Sequence, residues 1–305
     1  MRITERPNPA SMSLDQKSTR EILRVIHRED SKVPAALRKV LPQITLAVDM
    51  ITDALGRGGR LIYLGAGSSG RLGVLDAAEC IPTFGTDRVI GVMAGAPSAM
   101  FRPSEVSEDD PRQGVHDLRR VKMTARDVLV GISASGRTPY VMGGMRHAKT
   151  LGAPVIALTC NPSAPMRRLA DIAIIPLVGA EVIAGSTRMK AGTAQKLVLN
   201  MLSTASMARW GRVLSGLMIN VQLTNRKLRE RGCDILIKVS GCSAAKAKRA
   251  LDESGGQLPV AILMLLQEMP RQQAEQMLNT SPNPAAAIRS ALAGAGNPRR
   301  RARPR

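Results

Sequence analysis

The sequence predicts an α/β fold built on a doubly wound parallel sheet, with helices before the sheet and a small helical bundle after it. Short apolar runs alternate with helix-like stretches through the middle of the chain, and two Gly/Ser-rich loops each separate such a run from a helix. We expect four regions: an N-terminal helical segment at 1–52, a sheet-containing domain at 53–214, a C-terminal helical region at 215–296 and a basic, disordered tail at 297–305.

Two helices are expected at the start of the chain. Ser18 and Glu21 form a capping box before the run EILRVIHRED, which predicts a helix that begins there. Ser31, followed by Pro34 at an early helical position, predicts a second helix that ends at Gly56. We expect Pro42 to kink this second helix, because proline lacks the backbone N–H.

Five apolar runs predict the strands of the sheet. They are RLIYLG (60–65), RVIGVM (88–93), DVLVGI (127–132), APVIAL (153–158) and DIAIIPL (171–177). Continuous apolar runs separated by helices are typical of parallel strands that are buried on both faces. Ligands of such sheets bind beyond the carboxyl ends of the strands.

The last part of the chain is predicted to be helical. A long helical run begins at Lys190, and further amphipathic stretches continue to about Leu292. Two of these stretches, at 243–253 and 259–269, are separated by a Gly-Gly pair and are typical of a small three-helix bundle.

Two loops predict a site for a phosphorylated small molecule. GAGSSG begins at Gly65 and SASGRT begins at Ser133, and each follows an apolar strand and precedes a helix. Glycine allows close approach of the backbone to an anion, the first N–H groups of the helix point at it, and hydroxyls add donors. The candidate ligand-binding residues in these loops are Ser68, Ser69, Ser133, Ser135, Gly136 and Thr138.

Two other interpretations of the loops are weaker. Gly65, Gly67 and Gly70 fit the G-x-G-x-x-G pattern of dinucleotide-binding proteins. That pattern needs an acidic residue at the end of the next strand, but Asp87 stands before that strand. A tight turn without a ligand remains an alternative for either loop taken alone.

Composition excludes several other classes of function. Aromatic residues make up 2% of the chain, which argues against stacking platforms for single-stranded nucleic acid. The apolar run at 260–266 is too short to span a bilayer, and the first residues lack the apolar core of a signal peptide. We therefore expect a cytoplasmic protein without a membrane partner.

Metal and nucleic-acid binding are likewise not expected. The four cysteines lack C-x-x-C spacing and the three histidines stand far apart, which disfavours a zinc site and a disulfide framework. The net charge of +20 includes five arginines in the last seven residues. Such a balance attracts anions of any kind, so it does not by itself predict a specific nucleic-acid partner.

The motifs resemble those of a known family. Ser133, Ser135, Gly136 and Thr138 fit the S-x-S-G-x-T loop with which sugar isomerase (SIS) domains hold a sugar phosphate. GAEVIAGSTRMKAGTAQK (179–196) resembles the signature shared by N-acetylmuramic acid 6-phosphate etherases and the glucokinase regulatory protein. The etherase resemblance also includes 28–44, 63–80 and the acidic loop near 104–110. The regulator has two SIS domains and this chain has room for one, so the etherases are favoured.

The resemblance implies an activity and assigns roles to two glutamates. Etherases remove the D-lactyl group from C3 of N-acetylmuramic acid 6-phosphate by elimination from the ring-opened aldehyde, followed by addition of water, without a metal or organic cofactor. The family pattern places the acid that protonates the leaving lactate at Glu79 and the base at C2 at Glu108. The resemblance also implies a homodimer. A sugar-phosphate sensor without catalytic activity and a sugar-phosphate isomerase are the alternatives.

Other charged residues are weaker candidates for the site. The competing carboxylates are Glu105, Asp109, Asp110 and Glu181, and Glu181 is favoured among them because it stands inside the signature. The basic residues that could meet the phosphate or the lactyl carboxylate are Arg71, Arg137, Arg188 and Lys190, although surface ion pairs are the usual role of such residues.

The position of Glu79 poses a geometric problem. A helix that starts near Ser69 places Glu79 ten residues further on, about 15 Å along the helix axis. The glutamate therefore cannot touch a phosphate bound at the start of the same helix. Either that helix ends early and the chain turns back, or Glu79 serves a site formed with a neighbouring subunit.

Overall fold

A five-stranded parallel sheet lies at the centre of the computed structural model, which describes residues 3–102 and 106–295. Its strands are β1 (Leu61–Gly65), β2 (Val89–Met93), β3 (Val128–Ile132), β4 (Val155–Leu158) and β5 (Ile172–Ile174), and a two-stranded hairpin adds β6 (Val213–Leu214) and β7 (Leu217–Met218). The five predicted strands are confirmed. β5 is shorter than predicted, and it ends before Pro176, which has no N–H to donate to a neighbouring strand.

Helices make up most of the remaining structure. They are α1 (Thr19–Asp30), α2 (Val33–Arg38), α3 (Leu41–Gly56), α4 (Gly67–Phe84), α5 (Pro111–Arg120), α6 (Pro139–Thr150), α7 (Lys190–Arg209), α8 (Arg226–Ser240), α9 (Ala244–Glu253), α10 (Leu258–Gln267), α11 (Arg271–Thr280) and α12 (Pro284–Ala295). The described residues form two compact units. The first contains those up to Glu79 and those of Asp87–Ser206, and the second contains Cys80–Thr86 and those from Met207 onward.

The first helix begins as predicted, whereas the second predicted helix is divided into two. Ser18 and Glu21 form the capping box: the Ser18 amide donates to the Glu21 carboxylate at 2.9 Å, and the Glu21 amide donates to the Ser18 hydroxyl at 3.4 Å. The expected kinked helix up to Gly56 is instead α2 and α3, which are separated at Lys39 and Val40. Pro42 lies in the first turn of α3, where its missing N–H costs no helical hydrogen bond.

The sheet is buried on both faces, which explains its apolar strands. Every residue of β1, β3 and β4 is buried. Ile62 and Leu64 point to one face and pack in a cluster with Leu118 of α5 and Met145 of α6. On the other face, Tyr63 lies against Gly73 of α4, where a Cβ would be only 3.0 Å from the Tyr63 side chain.

The strand order creates a crevice at the carboxyl ends of β1 and β3. The order is β2-β1-β3-β4-β5, so β1 pairs with β2 on one side and with β3 on the other. The chain therefore leaves β1 and β3 toward opposite sides of the sheet, which is the arrangement in which doubly wound proteins bind ligands. Gly65 pairs with Ile132 in the register, so the two Gly/Ser-rich loops start next to each other.

Two glycines allow α5 and α6 to pack in close contact. A Cβ on Gly114 of α5 would overlap the Tyr140 carbonyl oxygen, and a Cβ on Gly143 of α6 would overlap the Pro111 carbonyl oxygen. Pro111 is the first residue of α5, so this contact places the chain just before α5 against the start of α6.

The second unit is helical apart from its β6–β7 hairpin. Its core contains Leu236, Leu251, Ile262, Ala274 and Ile288, one from each of the helices α8 to α12. The predicted stretches at 243–253 and 259–269 are α9 and α10. The described part of this unit therefore has five helices where three were expected, because α8, α11 and α12 also bury apolar side chains in the same core.

Two further sequence expectations concern the basic tail and a membrane-spanning segment. The basic tail at 297–305 lies outside the described residues. No helix within the described ranges combines the length and the apolar character that crossing a bilayer requires.

We expect Gly143→Ala to destabilise the first unit by about 1–3 kcal/mol, because the added methyl group forces α5 away from α6. Thermal unfolding followed by circular dichroism measures the effect. Gly56→Ala is the matched control, since its Cβ would meet nothing within 4 Å and Gly56 ends α3 without a positive φ. Equal melting temperatures for the two variants would contradict the role of the close contact.

Candidate functional site

The SASGRT loop gathers three hydroxyl groups at the carboxyl end of β3. The Ser133 hydroxyl lies 2.8 Å from the Thr138 hydroxyl and 3.4 Å from the Ser135 hydroxyl. Thr138 is the residue before α6, whose first backbone N–H groups have no helical acceptor. The loop therefore presents hydroxyls and a helix N-terminus at one place, which suits a phosphate group.

The shape of this loop depends on Gly136 and on the chain that follows β4. Gly136 has φ +66°, and a Cβ there would overlap the Ala164 side chain. Its amide donates to the Ser133 hydroxyl at 3.0 Å, and the Asn161 side chain donates to the Ser135 carbonyl at 2.9 Å. These contacts hold the loop in one conformation before any ligand binds, which lowers the entropic cost of binding.

Glu108 lies against this loop. It ends a 3₁₀ turn, Val106–Glu108, that precedes α5, and its carboxylate accepts a hydrogen bond from the Thr138 hydroxyl at 3.0 Å. Glu108 is half-buried, whereas Thr138 is buried. The structure thus brings the predicted base and the predicted phosphate loop together, although 30 residues separate them in the chain.

The GAGSSG loop forms a tight turn between β1 and α4. A Cβ on Gly65 would come within 2.7 Å of the Gly70 nitrogen, and a Cβ on Gly70 would come equally close to the Gly65 oxygen. The Ser69 hydroxyl is buried and donates to the Gln195 side chain at 2.9 Å, while Ser68 is partly exposed. Of the two predicted serines, Ser68 is therefore the more accessible to a ligand.

The structure also bears on the dinucleotide alternative. β2 is followed by Ala94, Gly95 and Ala96, so the carboxyl end of this strand carries no acidic residue for a ribose. Asp87 stands at the opposite end of the strand, as expected from the sequence. Gly65 and Gly70 are explained by their close contact, and Gly67 by its positive φ of 53°.

Glu79 lies far along α4 from the GAGSSG loop. α4 continues through it to Phe84, so the expectation that this helix might end early is wrong. The helix begins at Gly67, and eleven residues separate Ser68 from Glu79, which is about 16 Å along the axis. Glu79 is exposed, next to Ala78 and to Leu75, whose side chain is 50% exposed.

Glu181 and Lys190 have partners inside the protein, which differs from their predicted role in substrate binding. The Glu181 carboxylate accepts the backbone amides of Lys190 and Ala191 at 3.0 and 2.8 Å, so it caps the start of α7. The Lys190 ammonium donates to Glu29 at 2.7 Å, and both side chains are 1% exposed. Because these groups are already bonded, we assign them to the support of the signature segment.

The pKa values of the two buried carboxyl groups shift in opposite directions. For Glu29, burial alone would raise the pKa, but hydrogen bonds from Lys190, Lys32 and Asn8 outweigh it and lower the pKa to about 2. For Glu181, burial raises the pKa and the two backbone amides of α7 compensate only in part. Glu29 therefore stays ionised and provides the counter-charge for Lys190.

The predicted basic residues are not equivalent. Arg71 donates to the carbonyl oxygens of Met100 at 3.0 Å and Ala99 at 2.7 Å, which connects α4 to the loop after β2. Arg137 and Arg188 are exposed. Arg71 and Arg188 also line one depression at the surface, here termed the α4–α7 pocket, whose other polar lining residues are Ser68, Thr193 and Lys196.

The competing carboxylates have other positions. Asp109 is exposed, and Asp110 caps α5 by accepting the Arg112 amide at 2.8 Å. Glu105 lies outside the described residues. Among the described residues, no group of three or more His, Cys, Asp or Glu side chains is arranged to hold a metal ion.

Comparison with known proteins connects this geometry to sugar phosphates. The SIS domain family matches residues 114–205, and the N-terminal SIS domain of the glucokinase regulatory protein matches residues 43–149. The N-acetylmuramic acid 6-phosphate etherases of Yersinia pestis (strain Pestoides F) and Yersinia pseudotuberculosis serotype O:1b (strain IP 31758) are each 52% identical over 278 residues, which cover 90% of this chain and 94% of each relative.

A solved structure is similar in fold. The phosphoheptose isomerase of Neisseria gonorrhoeae is 21% identical, with a TM-score of 0.50, over 62% of this chain and 98% of that one. At this level of identity the similarity supports the SIS fold and nothing further.

Sequence reasoning missed the residues that support the site. Glu29 is one of several charged residues of the amphipathic helix α1, and its partner Lys190 stands 161 residues away in the chain. Gln195 and Lys196 were not singled out either. Helical spacing could have assigned these two residues to different faces of the helix. Gln195 shares a face with buried Ala191, Ala194 and Val198, whereas Lys196 shares a face with exposed Thr193.

We expect Glu29→Gln to lower the free energy of unfolding by about 3–5 kcal/mol at pH 7, because it leaves the buried Lys190 ammonium without a counter-charge. Urea unfolding measures this change. Glu230→Gln is the control, since it removes one partner of an exposed pair on α8 and should cost about 0.5 kcal/mol or less.

The difference in stability between the wild type and Glu29→Gln should also depend on pH. The lowered pKa of Glu29 means that its contribution is complete above about pH 4.5 and is lost as the pH falls toward 2. The difference in stability between the wild type and Glu29→Gln should therefore shrink over that range. A difference that stayed constant down to pH 2 would contradict the buried ion pair.

Proposed function

We propose, because this chain belongs to the family of N-acetylmuramic acid 6-phosphate etherases, that it cleaves the D-lactyl ether of N-acetylmuramic acid 6-phosphate to N-acetylglucosamine 6-phosphate and D-lactate. The observation that carries the proposal is the hydrogen bond between Glu108 and Thr138, which places a carboxylate beside the loop suited to a sugar phosphate. A cytoplasmic location is part of the same proposal.

The phosphate subsite consists of the SASGRT loop. The hydroxyls of Ser133, Ser135 and Thr138 and the backbone amides at the start of α6 hold the phosphate, and Gly136 allows the loop its tight turn. Ser68, and Ser69 through its bond to Gln195, support the sugar from the start of α4. In the free protein the Thr138 hydroxyl donates a hydrogen bond to Glu108, and a bound phosphate competes for that donor.

The chemistry is an elimination followed by addition of water. In the ring-opened substrate the C2 hydrogen is acidified by the neighbouring aldehyde, and Glu108 takes this proton as general base. The C3–O bond breaks with its electron pair on oxygen, and Glu79 donates a proton to the leaving D-lactate. Glu79, now a carboxylate, then takes a proton from the water that adds at C3 of the unsaturated aldehyde, while the proton on Glu108 returns to C2. This yields the product sugar phosphate and restores both glutamates to their starting states. Both glutamates need only transfer protons.

The extended helix α4 favours a homodimer with shared sites. Glu79 lies about 16 Å along α4 from Ser68, so it cannot reach a leaving group held at the start of its own helix. It is exposed beside Leu75, an apolar side chain that a second copy of the chain would cover. We therefore assign Glu79 to the site that is centred on the SASGRT loop of the second copy.

We expect purified protein to release D-lactate, and the two glutamates to differ in a second assay. Glu108→Gln should lower both lactate release and deuterium exchange at C2 by about 10²- to 10⁴-fold. Glu79→Gln should lower lactate release to a similar extent while exchange continues. Asp109→Asn, an exposed neighbour, should leave both rates near the wild type. An enzymatic lactate assay and NMR in D₂O measure the two rates.

Each contrary outcome of this comparison has a distinct meaning. Exchange that is lost in Glu79→Gln and retained in Glu108→Gln would reverse the assigned roles. A wild type that binds the sugar phosphate and releases no lactate would contradict the etherase and favour a non-catalytic sensor.

Mixing inactive subunits tests whether the site is shared. If Glu79 serves the second copy, a heterodimer of Glu79→Gln and Glu108→Gln subunits has one intact site and one doubly altered site. Random exchange of equal amounts should then restore about a quarter of the wild-type activity. If each site uses residues of one chain, no mixture recovers activity. Light scattering confirms the dimer, and mixing two preparations of Glu108→Gln is the control.

A further inference from the structure

The α4–α7 pocket carries a charge that the mechanism above does not use. Ser68, Arg71 and Leu72 come from the first turns of α4, and Thr193 and Lys196 come from α7, with Arg188 just before it. Thr193 and Lys196 are one turn apart, so they stand on the same face of α7. The pocket therefore joins the start of α4 to the outward face of the signature helix.

The three cations of this pocket form no ion pair with a carboxylate of the described residues. Arg71 donates to two backbone carbonyls, which are neutral. The Lys196 ammonium donates a hydrogen bond to the neutral Asn200 side chain at 2.6 Å, with the amide oxygen oriented toward it. Arg188 is exposed, and neither it nor the other two forms an ion pair with a described carboxylate. Such a concentration of uncompensated positive charge favours an anionic ligand.

Half-buried Asp76 does not cancel this charge. It interacts electrostatically with Lys196, but burial raises its pKa, and its carboxylate already accepts hydrogen bonds from Tyr63 at 2.9 Å and Ser203 at 3.1 Å. Asp76 therefore faces the interior of the α4–α7 contact, and the cations retain their capacity to bind an anion.

The pocket lies beside the phosphate loop without being part of it. Gly65 and Ile132 are paired in the sheet. The first turn of α4, which contains Ser68, therefore lies next to the strand end that leads into Ser133. Neighbouring strands are about 4.8 Å apart, which places the two loops within the length of one open-chain sugar. A substrate with two anionic groups could thus fill both places at once.

We propose that the α4–α7 pocket binds the carboxylate of the lactyl arm, with Arg188 and Lys196 as its ion-pair partners and Leu72 against its methyl group. This assignment rests on the proposed function, which supplies a ligand with a phosphate at one end and a lactyl ether toward the other. These cations also offset the repulsion between the carboxylate and the negative charge that develops on the departing ether oxygen. The pocket therefore determines specificity for a charged leaving group.

The test compares the natural substrate with the methyl ester of its lactyl carboxylate, which has the same shape and no charge at that end. We expect Arg188→Met and Lys196→Met each to lower kcat/KM for the acid by about 10- to 100-fold, and to change it for the ester by less than about 3-fold. Lys248→Met, on an exposed part of α9, removes the same charge and should leave both values near the wild type.

Binding measurements separate this proposal from the proposed function. Calorimetry gives the dissociation constants of acid and ester in a Glu108→Gln background, where turnover is blocked. A clear preference for the acid that both methionine variants abolish supports the pocket, and affinity for N-acetylglucosamine 6-phosphate should stay unchanged in them. Equal losses for acid and ester, or no preference in the parent protein, would overturn the pocket assignment. Binding of the acid by a wild type that releases no lactate would instead contradict the etherase.

Discussion

The pairing of β1 with β2 on one side and β3 on the other is the constraint on which the site depends. Because the chain leaves β1 and β3 toward opposite faces of the sheet, α4 and α6 start on either side of one crevice. The glycines then act locally: Gly65 and Gly70 let the start of α4 approach the end of β1, and Gly143 lets α5 approach α6. Through that second contact Glu108 comes within 3.0 Å of Thr138. Backbone packing thus places the proposed general base beside the SASGRT loop.

The signature segment combines side chains that hold it in place with side chains that line a pocket. Its inward side chains hold it in place, since Glu181 caps α7 and Lys190 pairs with Glu29 in the interior. Its outward side chains, Thr193 and Lys196, line the α4–α7 pocket. Considered as sequence alone, the motif suggests one common function for all of its residues. Helical spacing instead separates its buried side chains, such as Gln195, from Thr193 and Lys196 at the pocket.

Local patterns accounted for most of the predicted elements. The capping box at Ser18, the five strands and the start of α7 each follow from residues within a few positions of one another. Predictions were weaker where a local preference had more than one solution. Pro42 was compatible with a kink or with a new helix, and packing of α2 and α3 selected the new helix. α4 did not end before Glu79, and it also contains Pro82, because proline limits but does not forbid a helix that tertiary contacts support.

By itself, the sequence determined the α/β class, the two Gly/Ser-rich loops at the ends of strands and the family that the chain resembles, because periodicity and motif spacing are properties of short segments. Only the tertiary structure decided which charged groups meet. It paired Glu29 with Lys190 across 161 residues, set Glu108 beside Thr138 and left Glu79 exposed on a continuous α4. These outcomes depend on how whole elements pack, and the energy of a buried charge is set by neighbours that are distant in the chain.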